Sequence, residues 1–140
     1  MRPHVESPTR GIEHANITRY RTMIHAFNAS DLATALQLTD TSVRYHVPGR
    51  SPLAGEFRGI EAFQRMLRHA RDLSRGTLEF HPSAVLADDQ FLTAFGRIYA
   101  ERQGRRLDND QCVIFRFGND KVVEGWTIPA DLYAFDAFWS

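Results

Sequence analysis

A single cysteine, a single lysine and the absence of any long apolar run already exclude several kinds of protein. Cys112 stands alone among 140 residues, which leaves no internal disulfide and no cysteine-based zinc site. It lies in an apolar run, so it reads as a buried, inert thiol. Lys121 is the one lysine. Arginine supplies the rest of the 17 basic residues, and 17 acidic residues balance them to a formal net charge of zero. A chain with no net charge has no overall field to draw it to nucleic acid or to an anionic membrane, and neither partner is expected. No stretch approaches the roughly eighteen consecutive apolar residues of a membrane span. The opening M-R-P-H-V-E-S-P-T-R-G has no apolar secretion core, so the expected location is the cytoplasm. The histidines at 4, 14, 25, 46, 69 and 81 form no H-E-x-x-H or close pair, and there is no glycine-rich phosphate loop and no G-x-S-x-G elbow. No metal and no cofactor is expected. Arg58, Arg65, Arg68 and Arg71 fall at helical spacing and read as a solvated helix face.

What is present suits one ordinary globular domain: 43% hydrophobic and 24% charged residues over a length that buries about two thirds of the unfolded surface. Pro3, Pro8 and Gly11 mark residues 1–11 as a flexible leader, leaving 12–140 as the domain. Apolar positions Ile17, Tyr20, Ile24 and Phe27, with Met23 beside them, give a helix to about Asn28. A short second helix begins at Asp31 behind a Ser30 cap, and a third runs from Ile60 to about Leu73.

The second half reads as strands. Thr77 to Ala87 contains Pro82, which marks a bulge or an edge because proline cannot donate to a ladder. Phe91 to Arg102 and Leu107 to Phe117 pair through a hairpin, Val122 to Ile128 follows, and Leu132, Phe135 and Trp139 stripe a closing helix. Helices first and a meander after them argue α+β, with helices packed on one face of a curved, mainly antiparallel sheet.

The densest signal is R-Y-H-V-P-G-R-S-P-L-A-G-E-F-R-G at 44–59. Side chains alternate along its strand, so Arg44 and His46 share one face and Val43, Tyr45 and Val47 the other. The two prolines and two glycines that follow read as turns leading to a helix start. Further landmarks are D-L-A-T-A-L at 31–36, A-E-R-x-G-R at 100–105, D-K-V-V-E-G-W at 120–126 and D-L-Y-A-F-D-A-F-W at 131–139. In this order and spacing they resemble the SnoaL-like family of the nuclear transport factor 2-like superfamily, which includes ketosteroid isomerase and small polyketide cyclases. The resemblance covers about 12–139. It implies a cone-shaped sheet wrapped around three helices, an interior pocket and a homodimer formed across the outer sheet face.

It also implies a set of site residues. Anchored on the strand-end glycine, His46 falls where ketosteroid isomerase carries its catalytic base, while the enolate-stabilising tyrosine and aspartic acid fall at Met23 and Val113. That departure argues against steroid isomerisation. His46 is the candidate base, since a neutral imidazole can accept and return a proton near pH 7. Asp131 is the second catalytic candidate, because SnoaL-like cyclases use an aspartate in aldol closure, and its competing role is to cap the last helix. Arg44, Tyr20, Gln111 and His81 are candidate substrate contacts, with Met23, Val113 and Trp126 as lining residues. The aromatic residues Tyr133, Phe135, Phe138 and Trp139 are expected to lid or plug the cone. The favoured activity is a cofactor-independent cyclase, lyase or isomerase acting by proton transfer on an apolar carbonyl compound. The alternatives are epoxide opening, as in limonene-epoxide hydrolases, and a non-catalytic ligand-binding or dimerisation domain.

Overall fold

The computed structural model describes residues 13–140, so the expected leader at 1–11 lies outside the described residues. The elements run α1 (Ala15–Asn28), α2 (Leu32–Ala35), β1 (Thr39–Val47), β2 (Gly55–Arg58), α3 (Ile60–Leu73), β3 (Glu79–Ala87), β4 (Phe91–Arg102), β5 (Arg105–Gly118), β6 (Lys121–Pro129) and α4 (Leu132–Trp139). The strands form one six-stranded sheet in the order β2-β1-β6-β5-β4-β3. All neighbouring pairs are antiparallel except β1 and β6, which run parallel. This is the expected α+β class. It carries one strand more than expected, because Gly55–Arg58, read as turns, pairs with β1 as an edge strand.

Pro82 does what its missing donor requires. It sits in β3, at a sheet edge, where the register with β4 slips between Pro82 and Ala84. Gly96 faces that slip. A Cβ there would stand 2.1 Å from the His81 carbonyl oxygen, so only glycine lets the two backbones approach.

The helices pack into the concave side of the sheet. On β4, Ala94, Ile98 and Ala100 point inward, while Arg97 points out and pairs with Asp108 and Asp110 on β5. Val43, Leu92, Leu107 and Val122 are fully buried, each contributing about 1.5–3 kcal/mol relative to exposure.

Two of the four arginines assigned to a solvated helix face depart from it. Arg71 is buried, with Nη1 donating to Ser30 Oγ at 2.8 Å, Nη2 donating to the Phe27 carbonyl, and its guanidinium stacked 4.8 Å from the Phe27 ring centre. It adds a charged donor to the Phe27 carbonyl at the open end of α1, a carbonyl that also accepts from the Ser30 amide. Arg58 belongs to β2 and not to a helix. Among the described residues no helix is long and apolar enough to cross a membrane.

Candidate functional site

The concave face holds a cavity of about 150 Å³. Its walls come from every layer: Tyr20 and Met23 of α1, Tyr45 and Val47 of β1, Phe63 and Met66 of α3, Gln111, Val113 and Phe115 of β5, and Phe135 and Trp139 of α4. None of the residues lining it carries a charge. That composition follows from alternation. The odd-numbered positions of β1 from Val43 onward and of the later half of β5 turn inward and are apolar or aromatic, with Gln111 the exception.

Gly125 makes the floor possible. A Cβ at that position would lie 2.7 Å from the Tyr45 ring and 2.9 Å from that of Phe115, so the absence of a side chain on β6 lets both rings lie against the sheet. Tyr45 also stacks on Phe63 with ring centres 4.5 Å apart, and Tyr20 meets Phe115 edge-on at 5.8 Å.

The cavity holds few polar atoms. Tyr45 Oη and Thr127 Oγ1 bond to each other at 2.5 Å. Tyr20, 2% exposed, and Gln111, 5% exposed, have no such pairing: the Tyr20 hydroxyl and the Gln111 Oε1 are buried without a hydrogen-bond partner. Burial pushes the Tyr45 phenol up to about 12 in spite of its bond to Thr127. Burial raises that of Tyr20 well above the ordinary value, with smaller contributions from nearby Tyr45 and Cys112. Both phenols are therefore neutral across the physiological range.

The residues singled out from the sequence divide between the two sides of the sheet. Tyr20, Met23, Gln111 and Val113 line the cavity as expected. His46 and Arg44 do not, because the face they share is the outer one. His46 Nε2 lies 2.8 Å from Glu124 Oε2 and its ring stacks on Trp126 at 5.3 Å, which places Trp126 outside as well. His46 and Trp126 border a separate shallow groove with Glu56, Ile128 and Leu132.

Glu124, 9% exposed, is the centre of this outer cluster, with Arg116 donating at 3.0 Å and Arg44 standing 3.4 Å away. Burial alone would raise its carboxyl. The hydrogen bonds from His46 and Arg116, with the charges of Arg44 and Arg116, outweigh that and hold it below the usual carboxylate range.

The remaining expected contacts are also outside. His81 is exposed on the edge strand and pairs with Glu79. Asp131 caps α4, accepting from the Ala134 amide at 3.0 Å, and does not line the cavity. Of the closing aromatic residues, Phe135 and Trp139 plug the cone while Tyr133 is 92% exposed. Cys112 is only half-buried, on the outer face between Phe95 and Ile128.

Tyr45, Thr127 and Thr39 are polar cavity residues that the sequence reading passed over. The signal for Tyr45 was its place between Val43 and Val47 on the apolar face of β1.

A helix-filled cone of sheet around an uncharged cavity defines a small pocket-bearing α+β domain. The family model described as SnoaL-like domain matches residues 20–125, and the chain belongs to that family. Its backbone is similar to that of Bal32a from a soil-derived mobile gene cassette, at 36% identity and a TM-score of 0.86, covering 89% of this chain and 96% of that one. An NTF2-like protein of unknown function from Burkholderia pseudomallei shares the fold at 19% identity and a TM-score of 0.81, over 89% of this chain and 97% of the other. An uncharacterized protein of Mycobacterium tuberculosis is 28% identical over 129 residues, which is 91% of this chain and 98% of its own length. The fold is thus the nuclear transport factor 2-like one that the motifs implied.

Proposed function

We propose that this domain binds a small, neutral, mainly apolar molecule inside the cone and holds it without carboxylate or imidazole chemistry. The observation that supports this reading is the cavity itself: about 150 Å³, aromatic-walled, with no charged residue in its lining. An apolar cavity of roughly 150 Å³ admits one benzene ring. Desolvating an ion there with no counter-charge would cost several kcal/mol, so neutral ligands are selected.

Proton transfer by His46 and Asp131 on a carbonyl compound, the other activity the family suggests, has less geometric support, because neither residue borders the cavity. Epoxide opening with Arg44 and Asp131 meets the same objection.

The test is a titration of toluene into the protein, followed by the melting temperature and the fluorescence of Trp139 in a Trp126→Phe background. Saturable quenching with a rise in melting temperature is expected. No change in either signal would contradict the reading.

We extend the proposal to a homodimer through the outer sheet face, where Phe95, 45% exposed, and Ile128, 43% exposed, flank Cys112 in register. Sedimentation of the wild type as a dimer, and of Phe95→Asp as a monomer, is the expected result. A monomeric wild type would contradict it.

A further inference from the structure

The cavity contains two polar groups that the fold leaves unsatisfied, and they are complementary in kind. The Tyr20 hydroxyl is a donor without an acceptor, and the Gln111 Oε1 is an acceptor without a donor. Both side chains are more than nine-tenths buried and both line the same cavity. Leaving such a group unpaired costs about 1–3 kcal/mol, so two in one small cavity ask for an explanation outside the fold's own hydrogen bonding.

Both belong to the β5 side of the cavity: Gln111 turns inward on β5, and Tyr20 meets Phe115 of the same strand edge-on. Gln111 and Val113 turn inward two residues apart on β5, and Val113 is directly across from Thr127 on β6, whose hydroxyl bonds to Tyr45. Phe63, Met66, Leu67, Leu78 and Phe80 add only apolar surface to the lining.

Resting on the ligand-binding reading above, we propose that the cavity is selective for a neutral single-ring molecule bearing a hydroxyl group, a phenol or an alicyclic alcohol, whose oxygen accepts from Tyr20 and whose proton is donated to Gln111. A hydroxyl supplies both complements in one group. A ketone supplies only an acceptor for Tyr20 and leaves Gln111 unpaired, and a hydrocarbon supplies neither. A carboxylate brings a charge into a lining that has no cation to meet it. The ring size follows from the volume, since roughly 150 Å³ accommodates one ring and not two.

Calorimetric or NMR titrations with toluene, cyclohexanone, phenol and benzoate test this on the full chain. Two net hydrogen bonds of ordinary strength correspond to phenol binding about 5- to 150-fold tighter than toluene. Cyclohexanone is expected between them, and benzoate is not expected to bind. In Tyr20→Phe and Gln111→Met, each measured with both ligands, the phenol-to-toluene affinity ratio is expected to fall severalfold, while in His46→Ala it stays at the wild-type value. Toluene binding with no preference for phenol overturns the selectivity and leaves the apolar-pocket reading standing. A preference for phenol that survives both cavity substitutions also overturns it. Failure of every ligand to bind overturns the pocket reading itself. Should one variant fail to fold, the wild-type ranking and the other variant still decide.

Discussion

Tyr45 and His46 are adjacent in sequence and lie on opposite sides of the sheet: Tyr45, 6% exposed, forms cavity wall against Phe63, while His46 is bonded to Glu124 on the outer face. The two therefore differ in what their loss does. His46→Ala and Glu124→Gln disturb an ionic cluster, and the expected effect is on stability and its pH dependence. The folded-state pKa of Glu124 is depressed, so its contribution is present above the unfolded carboxylate value and is lost as pH falls through the folded one. Chemical denaturation is expected to show Glu124→Gln less stable than wild type near pH 7, with the gap closing as pH falls below the unfolded glutamate value of about 4.3. A gap that stays constant with pH would show that the Glu124 charge contributes nothing to folding.

Removing the Tyr20 hydroxyl should not follow the usual rule for buried tyrosines. Deleting a paired hydroxyl costs about 1 kcal/mol, but this one has no partner in the protein. Tyr20→Phe is expected to be neutral or stabilising by up to about 1 kcal/mol in the absence of ligand. A loss above about 1 kcal/mol in urea denaturation would mean that the hydroxyl is satisfied in solution.

Asp131 caps α4 through the Ala134 amide, so its substitution should separate capping from chemistry. Asp131→Ala is expected to cost about 1 kcal/mol, and Asp131→Asn, which keeps an accepting oxygen, only a few tenths. Toluene affinity should follow the folded fraction alone in both. Loss of an activity in Asp131→Asn without loss of stability would return Asp131 to the catalytic role.

Gly125 is predicted to be intolerant of even one carbon. A Cβ would meet the Tyr45 ring at 2.7 Å, and two stacked aromatic residues would have to move. Gly125→Ala is expected to cost about 1–3 kcal/mol by thermal melting. It is also expected to shift the ring resonances of Tyr45, Phe63 and Phe115 together. A melting temperature equal to wild type would mean that the floor of the cavity is loosely packed.

The legible parts of the fold were those with strong local periodicity. The stripes of α1 and α3, the Pro82 slip at a sheet edge and the long hairpin of β4 and β5 can all be read from spacing and turn residues. β2 was not legible, because four residues between Pro52 and Gly59 look like turns until their partner on β1 is known.

The site was half legible for a related reason. Alternation on β1 divides Arg44 and His46 from Val43, Tyr45 and Val47, but it does not by itself say which set turns inward. The apolar set does, since burial of Val43 and Val47 outweighs any preference of a histidine. Placing His46 by analogy with a catalytic strand end reversed that choice. Arg71 shows the converse: nothing in its spacing reveals that the open end of α1 will receive a guanidinium.

The central claim is that ligand enters the cone and not the outer groove beside His46. The direct measurement is a titration of phenol into protein labelled with 13C at methionine methyl groups, followed in the same samples by the imidazole protons. Met23 and Met66 line the cavity, and His46 borders the outer groove. The account predicts saturable shifts of the Met23 and Met66 methyls with the His46 resonances unmoved. Saturable shifts of His46 and of the Trp126 indole, with both methionine methyls unchanged, would contradict it.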